Sequence, residues 1–242
     1  MVPAFNEDEN LPVLHRELAQ ELGAHGIQFE LLVVDDGSRD GTAGIVAERA
    51  EAQPVKHGES AQLRVVRAKH AGKGAAVRTG MLAADGDLIV FTDADMATPP
   101  EELPKLVAAL ASADVALGSR IQPDGSDMRA SQPPYRRFLG QVFHALASLW
   151  VVGPVQDTQC GFKGFSREAA HDVFARQVVT SIVFDVEVIY LARRRGYRLA
   201  VVPIKWQDRR GSRMHPGAAL ALRVAWDLVR IPFLHRGIRR RA

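Results

Sequence analysis

The sequence predicts an α/β fold, a doubly wound, mixed but mostly parallel sheet with helices on both faces. Two observations carry this expectation. As far as Arg120, apolar and β-branched runs of strand length alternate with segments of helical periodicity. The run Leu88 to Thr92 is continuously apolar, as in a strand buried on both faces, and stops at Asp93-Ala94-Asp95. Ligands of open α/β sheets bind outside such strand carboxyl ends. The 242 residues contain no Pro/Gly/Ser-rich linker, low-complexity block or internal repeat, so one domain is expected.

The elements follow in order. Met1 to Ala4 reads as the end of a first strand whose opening residues are missing. Leu11, Leu14, Leu18 and Leu22 recur at helical spacing, and Gly23 and Gly26 stop that helix. Phe29 to Val34 is a second buried strand, running into Asp35-Asp36-Gly37-Ser38-Arg39-Asp40-Gly41-Thr42, turn formers and caps ahead of a helix through Ile45 and Ala50. Leu63 to Arg67 is a third strand. The stretch after it, Lys69 to Gly80, contains Gly72-Lys73-Gly74 at a strand-to-helix turn, where backbone N–H groups can approach a phosphate. It matches neither a P-loop nor a full G-x-G-x-x-G, and close helix–sheet packing accounts for the glycines equally well.

Asp93 and Asp95, in extended backbone, leave on one face and can converge on a hard cation, while Ala94 lets a ligand approach the main chain. The alternative is that one Asp caps the helix announced by Pro99, Pro100, Glu101 and Glu102, a role also open to Thr98. Asp114 to Gly118 continues the sheet and delivers Ser119 and Arg120 to the same rim. The polar loop from Pro123 to Pro134 reads as a mobile lid. Phe138, Val142, Leu146 and Leu149 then form an apolar stripe, widened by Phe143 and Trp150. It suits either a core-facing helix or an interfacial helix with Arg136 and Arg137 at headgroup level. Asp157-Thr158-Gln159-Cys160-Gly161-Phe162-Lys163 opens a short strand before a helix from Arg167, and Phe184-Asp185-Val186-Glu187 begins another helix. Tyr197 to Trp206 is a late strand that ends in a loop holding Arg209, Arg210 and Arg213, suited to a phosphate. Ala218 to Leu234 carries a long apolar face before a basic tail.

Bulk properties narrow the function. The apolar fraction is 47% and the charged fraction 24%, ordinary for a globular chain. Cys160 is the one cysteine, so no intrachain disulfide forms and a reducing compartment fits. The net charge is +3, with arginines crowded toward the C-terminal half, which points to phosphates or an anionic surface rather than nucleic acid. No 18-residue apolar stretch or signal-peptide pattern is present, so peripheral membrane contact is expected rather than a spanning segment.

An acid pair that binds Mg²⁺ or Mn²⁺ usually shares it with a substrate diphosphate. Asp36, in its Gly/Ser loop, is placed to accept hydrogen bonds from a base or ribose. Val2-Pro3-Ala4-Phe5-Asn6-Glu7, Val33-Val34-Asp35-Asp36-Gly37-Ser38, Gly72-Lys73-Gly74-Ala75, Asp93-Ala94-Asp95 and Gly118-Ser119-Arg120 together resemble the family 2 inverting glycosyltransferases. Asp157 to Lys163 and Phe184 to Glu187 are similar to the dolichyl-phosphate β-glucosyltransferases, relatives of the mannose synthases.

The resemblance implies a nucleotide-diphospho-sugar transferase (GT-A type) fold over residues 1–234; within it the apolar faces make 136–152 and 217–234 candidate membrane-interfacial helices, and 235–242 is a basic tail. It implies transfer of a hexose, glucose from UDP-glucose by preference, to a polyprenyl or dolichyl phosphate at the cytoplasmic face of a membrane. A GDP-mannose donor or a saccharide acceptor are the alternatives, and the oligomeric state is left open. Pro3, Phe5, Glu7 and Asp36 match nucleotide-binding positions, and Lys73 and Ala94 are placed beside them. Asp93 and Asp95 match the metal site, and Arg120, Arg209 and Arg213 match positions that hold donor or acceptor phosphates. Phe5 departs from the usual Tyr, Ala97 replaces a Gln metal ligand, and the loop from Arg209 to Arg213 is shorter than in the mannose synthases. A phosphate monoester acceptor, with its second pKa near about 6, needs no dedicated base. The group of Asp95, Arg120 and Asp157 is therefore expected to carry the chemistry, with Asp157 orienting the sugar or an arginine; its other reading is a turn cap.

Overall fold

The computed structural model describes residues 1–45, 61–207 and 218–241. Strands β1 (Val2–Ala4), β2 (Phe29–Asp35) and β3 (Ala61–Arg67) form a parallel sheet in that order. Strands β4 (Leu88–Thr92), β5 (Val115–Ser119), β6 (Phe162–Ser166) and β7 (Leu199–Pro203) form a second sheet in the order β4-β6-β5-β7, with β6 antiparallel to both neighbours. The two are stitched together between β1 and β4. The amino group of Met1 donates to the Val90 carbonyl at 2.7 Å, and the Thr92 N–H donates to the Met1 carbonyl at 3.1 Å. Strand order thus runs outward in both directions from β1 and β4, which makes their carboxyl ends the switch point of a doubly wound sheet.

Both faces are covered, which is why the strands read as continuous apolar runs. Along β2, Leu32 and Val34 enter one core cluster while Leu31 and Val33 enter the other. Helices α1 (Asn10–Ala24) and α3 (Leu103–Leu110) close one face through Leu11, Leu14, Leu18 and Leu106. The other face is closed by α2 (Lys73–Ala83), α5 (Arg167–Arg176) and α6 (Phe184–Arg195), with Val77, Met81, Phe174 and Ile189 in the core. Each such side chain contributes roughly 1.5–3 kcal/mol on burial.

Several expectations are corrected. Asp93 and Asp95 do not continue extended backbone: β4 ends at Thr92, and the chain turns, with Met96 at φ 53°. Neither Asp nor Thr98 caps the following helix, whose 3₁₀ turn Pro100–Glu102 starts behind Pro99 without a side-chain cap. The first half of the segment read as a mobile lid is the end of a hairpin, and the 3₁₀ turn Met128–Ser131 follows it. Ile121 bridges Asp127, the Gln122 N–H donates to the Ser126 carbonyl at 2.8 Å, and Gly125 takes the turn at φ 82°.

Helix α4 (Pro134–Ala147) runs into a π-helical turn, Ser148–Val152, which lies beside α7 (Ala218–Leu234). The Trp150 indole N–H donates to the Val229 carbonyl at 3.2 Å, and the Trp150 and Phe233 rings are 6.2 Å apart. Most of the stripe does not face the core: Phe138, Leu146 and Leu149 are 65%, 52% and 88% exposed, and Phe143 alone of its large side chains packs against the core cluster. Among the described residues no helix is long and apolar enough to cross a membrane. The tail after α7 is docked rather than splayed out, since Arg241 lies over the Tyr197 ring and pairs with Glu168 at 3.1 Å.

Candidate active site

The crevice at the ends of β1 and β4 is built first from backbone. Asn6 sits at φ 58°, and its N–H donates to the Ser38 hydroxyl at 2.9 Å, while the Glu7 N–H donates to the Thr42 hydroxyl at 2.8 Å. The loops after β1 and β2 are therefore zipped together. Asp36 is buried and accepts the Ala71 N–H on Oδ1 at 2.9 Å and the Gly72 N–H on Oδ2 at 3.2 Å, with His70 Nδ1 2.9 Å from the same Oδ2. Those N–H groups, which sequence reasoning offered to a phosphate, here join the glycine turn to β2. Gly37, at φ 76°, is required because a side chain there would press on His70. Phe5, 37% exposed, tilts over the His70 ring at 4.7 Å, and Pro3 lies inside β1 rather than on the loop.

The acid turn follows β4. Asp93 Oδ1 is 2.7 Å from Lys73 Nζ, and Asp95 Oδ1 accepts the Ala97 N–H at 3.0 Å. The Ala94 methyl is buried in the core, so only its backbone is available to a ligand. Gly161 is the cradle: a Cβ there would collide with the Asp93 carboxylate. Partial desolvation opposes the charged form of Lys73, whose side chain is 35% exposed, but Asp93, Asp185 and Asp95 raise its pKa and keep it a cation.

Arg120, delivered by β5, meets Asp157. Its Nε–H donates to Oδ2 at 2.8 Å, its Nη2–H to Oδ1 at 2.5 Å, and its backbone N–H to Oδ2 at 2.7 Å. Arg129 approaches the same carboxylate at 3.5 Å, and Trp206 lies 5.5 Å from the Arg120 guanidinium. Burial alone would raise the Asp157 pKa, yet the hydrogen bonds and charge of Arg120, with Arg129, hold it below the usual carboxylate range. A carboxylate so committed orients an arginine and is poorly suited to accept a proton.

Beneath the rim lies a buried ionic layer that sequence reasoning did not identify. Lys163 is fully buried and donates to Asp185 Oδ1 and to the Cys160 carbonyl, both at 2.5 Å. Burial raises the pKa of Asp185, against the pull of Lys163 and Lys73. Glu187 accepts the N–H groups of Val178 at 3.0 Å and Val179 at 2.8 Å and meets His235 at 2.6 Å, so it too is structural. Arg129 and Trp206 were likewise missed. The string Asp127-x-Arg129, a short acid-to-base spacing in the hairpin, was the available signal for the first.

The donor set fits a hard divalent cation held jointly with a substrate: two carboxylates on one turn, one of them seated against a glycine that admits it. Among the described residues no group of three or more His, Cys, Asp or Glu side chains could hold a metal by itself. Arg209 and Arg213 lie outside the described residues.

Comparisons with known proteins place this geometry. The model of the family described as Glycosyl transferase family 2 matches residues 1–174. "Dolichyl-phosphate beta-glucosyltransferase ALG5C" of Trichomonas vaginalis is 37% identical, covering 98% of this chain and 71% of that protein. The human dolichyl-phosphate beta-glucosyltransferase is 32% identical over 89% of this chain and 69% of its own length, and that of Saccharomyces cerevisiae 31% over 95% and 72%. In three dimensions the chain is similar to glucosyl-3-phosphoglycerate synthase from Mycobacterium tuberculosis, solved with Mn²⁺ and UDP-glucose. The TM-score is 0.60 at 21% identity, covering 96% of this chain and 77% of that one.

Proposed function

The chain belongs to glycosyl transferase family 2, and from that premise we propose that it transfers glucose from UDP-glucose to a membrane polyprenyl phosphate of the dolichyl type, with inversion at C1. The observation that carries this reading is the likeness, at 31–37% identity over most of the chain, to proteins named dolichyl-phosphate beta-glucosyltransferase.

In this reading the exposed Phe5 ring and the loops after β1 and β2 seat the nucleoside, with Glu7 and Asp36 shaping the loops. Asp93 and Asp95 hold Mg²⁺ or Mn²⁺, which when bound neutralises the diphosphate leaving group. Arg120 supplies a fixed cation to the phosphates. It carries five N–H donors, more than Asp157 accepts, and Asp157 and Trp206 hold its plane in one orientation. Arg209 and Arg213 belong to the same set by their place in the sequence. The acceptor phosphate is largely dianionic at neutral pH and attacks C1 without a protein base, consistent with an Asp157 already engaged by two arginines.

The acceptor is a lipid, and the protein offers a surface for it. The exposed apolar side chains of α4, its π turn and α7, the last two joined through Trp150 and Phe233, in this reading lie at the acyl boundary of the membrane. The test is transfer from radiolabelled UDP-glucose and GDP-mannose to polyprenyl phosphate in detergent, with Mg²⁺ or Mn²⁺ and with chelator. Metal-dependent, organic-extractable label from UDP-glucose is the expected result. Label that remains water-soluble and moves only onto a small phosphorylated or saccharide acceptor would overturn the lipid assignment.

A further inference from the structure

We propose that Lys73 and the divalent cation compete for the same carboxylate, and that transfer of Lys73 from Asp93 to the donor's diphosphate couples nucleotide binding to metal binding. This rests on the reading of Asp93 and Asp95 as the metal site of a nucleotide-sugar transferase.

The geometry has three parts. First, Lys73 Nζ lies 2.7 Å from Asp93 Oδ1, an oxygen that a cation held by the acid turn would need. Second, the pair is built for exchange. Its side chains are 35% and 37% exposed, whereas those of the neighbouring Lys163–Asp185 pair are 0% and 5% exposed. An ion pair in contact with water contributes little and is exchanged at small cost; a buried one is not. Third, the root of Lys73 is fixed while its head is not. Gly72 at φ 99° gives its N–H to Asp36, the Gly74 N–H donates to the Thr180 carbonyl at 3.0 Å, and a Cβ at Gly74 would strike Phe184. The four-carbon stem thus pivots from a rigid turn at the crevice, and an ammonium is a point charge that can change acceptors without a planar fit.

Charge decides the direction of exchange. Two carboxylates and one lysine leave the turn with a single net negative charge. A divalent cation added while Lys73 stays in place would meet a positive neighbour. A diphosphate provides Lys73 with another anion and removes that repulsion. Because coupling is reciprocal, a nucleotide that draws Lys73 away raises metal affinity, and the metal raises nucleotide affinity by the same factor.

The experiment is titration of the full chain with Mn²⁺, reading free Mn²⁺ by electron paramagnetic resonance, with and without UDP. The proteins are wild type, Lys73→Met, Lys73→Arg and Asp93→Asn. Without UDP, Lys73→Met should bind Mn²⁺ on the order of 10-fold more tightly than wild type, and Lys73→Arg about as wild type does. The further gain that UDP gives should be smaller in Lys73→Met than in wild type. Unchanged or weaker Mn²⁺ binding by Lys73→Met without UDP would overturn the proposal and leave the metal site standing. Asp93→Asn binding Mn²⁺ like wild type, or wild type binding none even with UDP, would overturn both.

Discussion

The acid turn after β4 and the Arg120–Asp157 unit after β5 stand on one rim and use the same functional groups in opposite ways. The Asp93 side chain is 37% exposed and pairs with an equally accessible lysine. Asp157 is fully buried and accepts three hydrogen bonds from a single residue, Arg120. The first arrangement can trade partners, because water compensates each intermediate step. The second cannot, since an unpaired charge would be stranded in low dielectric. On this rim solvent access therefore separates the carboxylate proposed to receive a ligand, Asp93, from the one that holds a cation in place, Asp157.

The largest effect that tests this division is on the buried side. Lys163→Met leaves Asp185 buried and unpaired, and should cost about 3–5 kcal/mol of stability in urea unfolding, most of it recovered when Asp185→Leu is added. On the exposed side, Asp95→Asn should lower kcat/KM by roughly 10²–10³-fold, the scale of losing one transition-state charge contact, while leaving the unfolding midpoint nearly unchanged. If the exposed variant destabilises as much as the buried one, the division by solvent access fails.

Asp157→Asn lies between the two and sharpens the comparison. It should lower kcat/KM by about 10–100-fold through a misdirected Arg120. Its pH–rate profile should keep the wild-type shape between about pH 5 and 8, because a residue that is not the base leaves no limb behind. The stability arm has a definite sign. A carboxylate whose folded pKa is depressed adds stability above its unfolded value, near about 4, and that stability is lost as pH falls through the folded value. Wild type should therefore lose stability below about pH 4 more steeply than Asp157→Asn does.

The strands and the place of the acid pair at the end of β4, though not its turn, were legible because they are written in contiguous residues: a strand buried on both faces is an apolar run, and β4 matched its expected limits, Leu88 to Thr92. What was not legible depends on pairs far apart in the chain. Arg120 and Asp157 are separated by 37 positions and Lys163 and Asp185 by 22, and no periodicity announces such a partner: the resemblance put Asp157 with an arginine or the sugar without saying which arginine, and gave nothing for Lys163. Lys163 in particular sits in a polar-looking string, where nothing local signals a wholly buried ammonium. The stripe from Phe138 to Leu149 failed to decide between core and interface for a different reason. An apolar helix face looks the same whether it meets protein or lipid, and only the neighbours settle it. The loop from Pro123 to Pro134 carried turn residues that suit a mobile lid and a tight hairpin alike; the difference is the anchorage of Arg129 to Asp127 and Asp157.

The smallest expected effect is the absence of a reaction, and it probes the fixed region from within. Cys160 is buried beside the Asp157–Arg120 unit, and burial, with the charge of Asp157, pushes its thiol up to about 12. At about pH 8 the reactive thiolate is then scarce and the sulfur shielded, so iodoacetamide should label the native protein orders of magnitude more slowly than the urea-unfolded chain. The carbonyl of Cys160 is also an anchor of Lys163. Labelling should accordingly accelerate in Lys163→Met, where the buried layer is weakened, and stay slow in Asp95→Asn, where only the exchangeable rim is altered. Fast labelling of the wild type, or equal acceleration in both variants, would mean that the layer beneath the acid turn opens together with it, and that rim and floor are one mobile unit rather than a yielding surface on a rigid support.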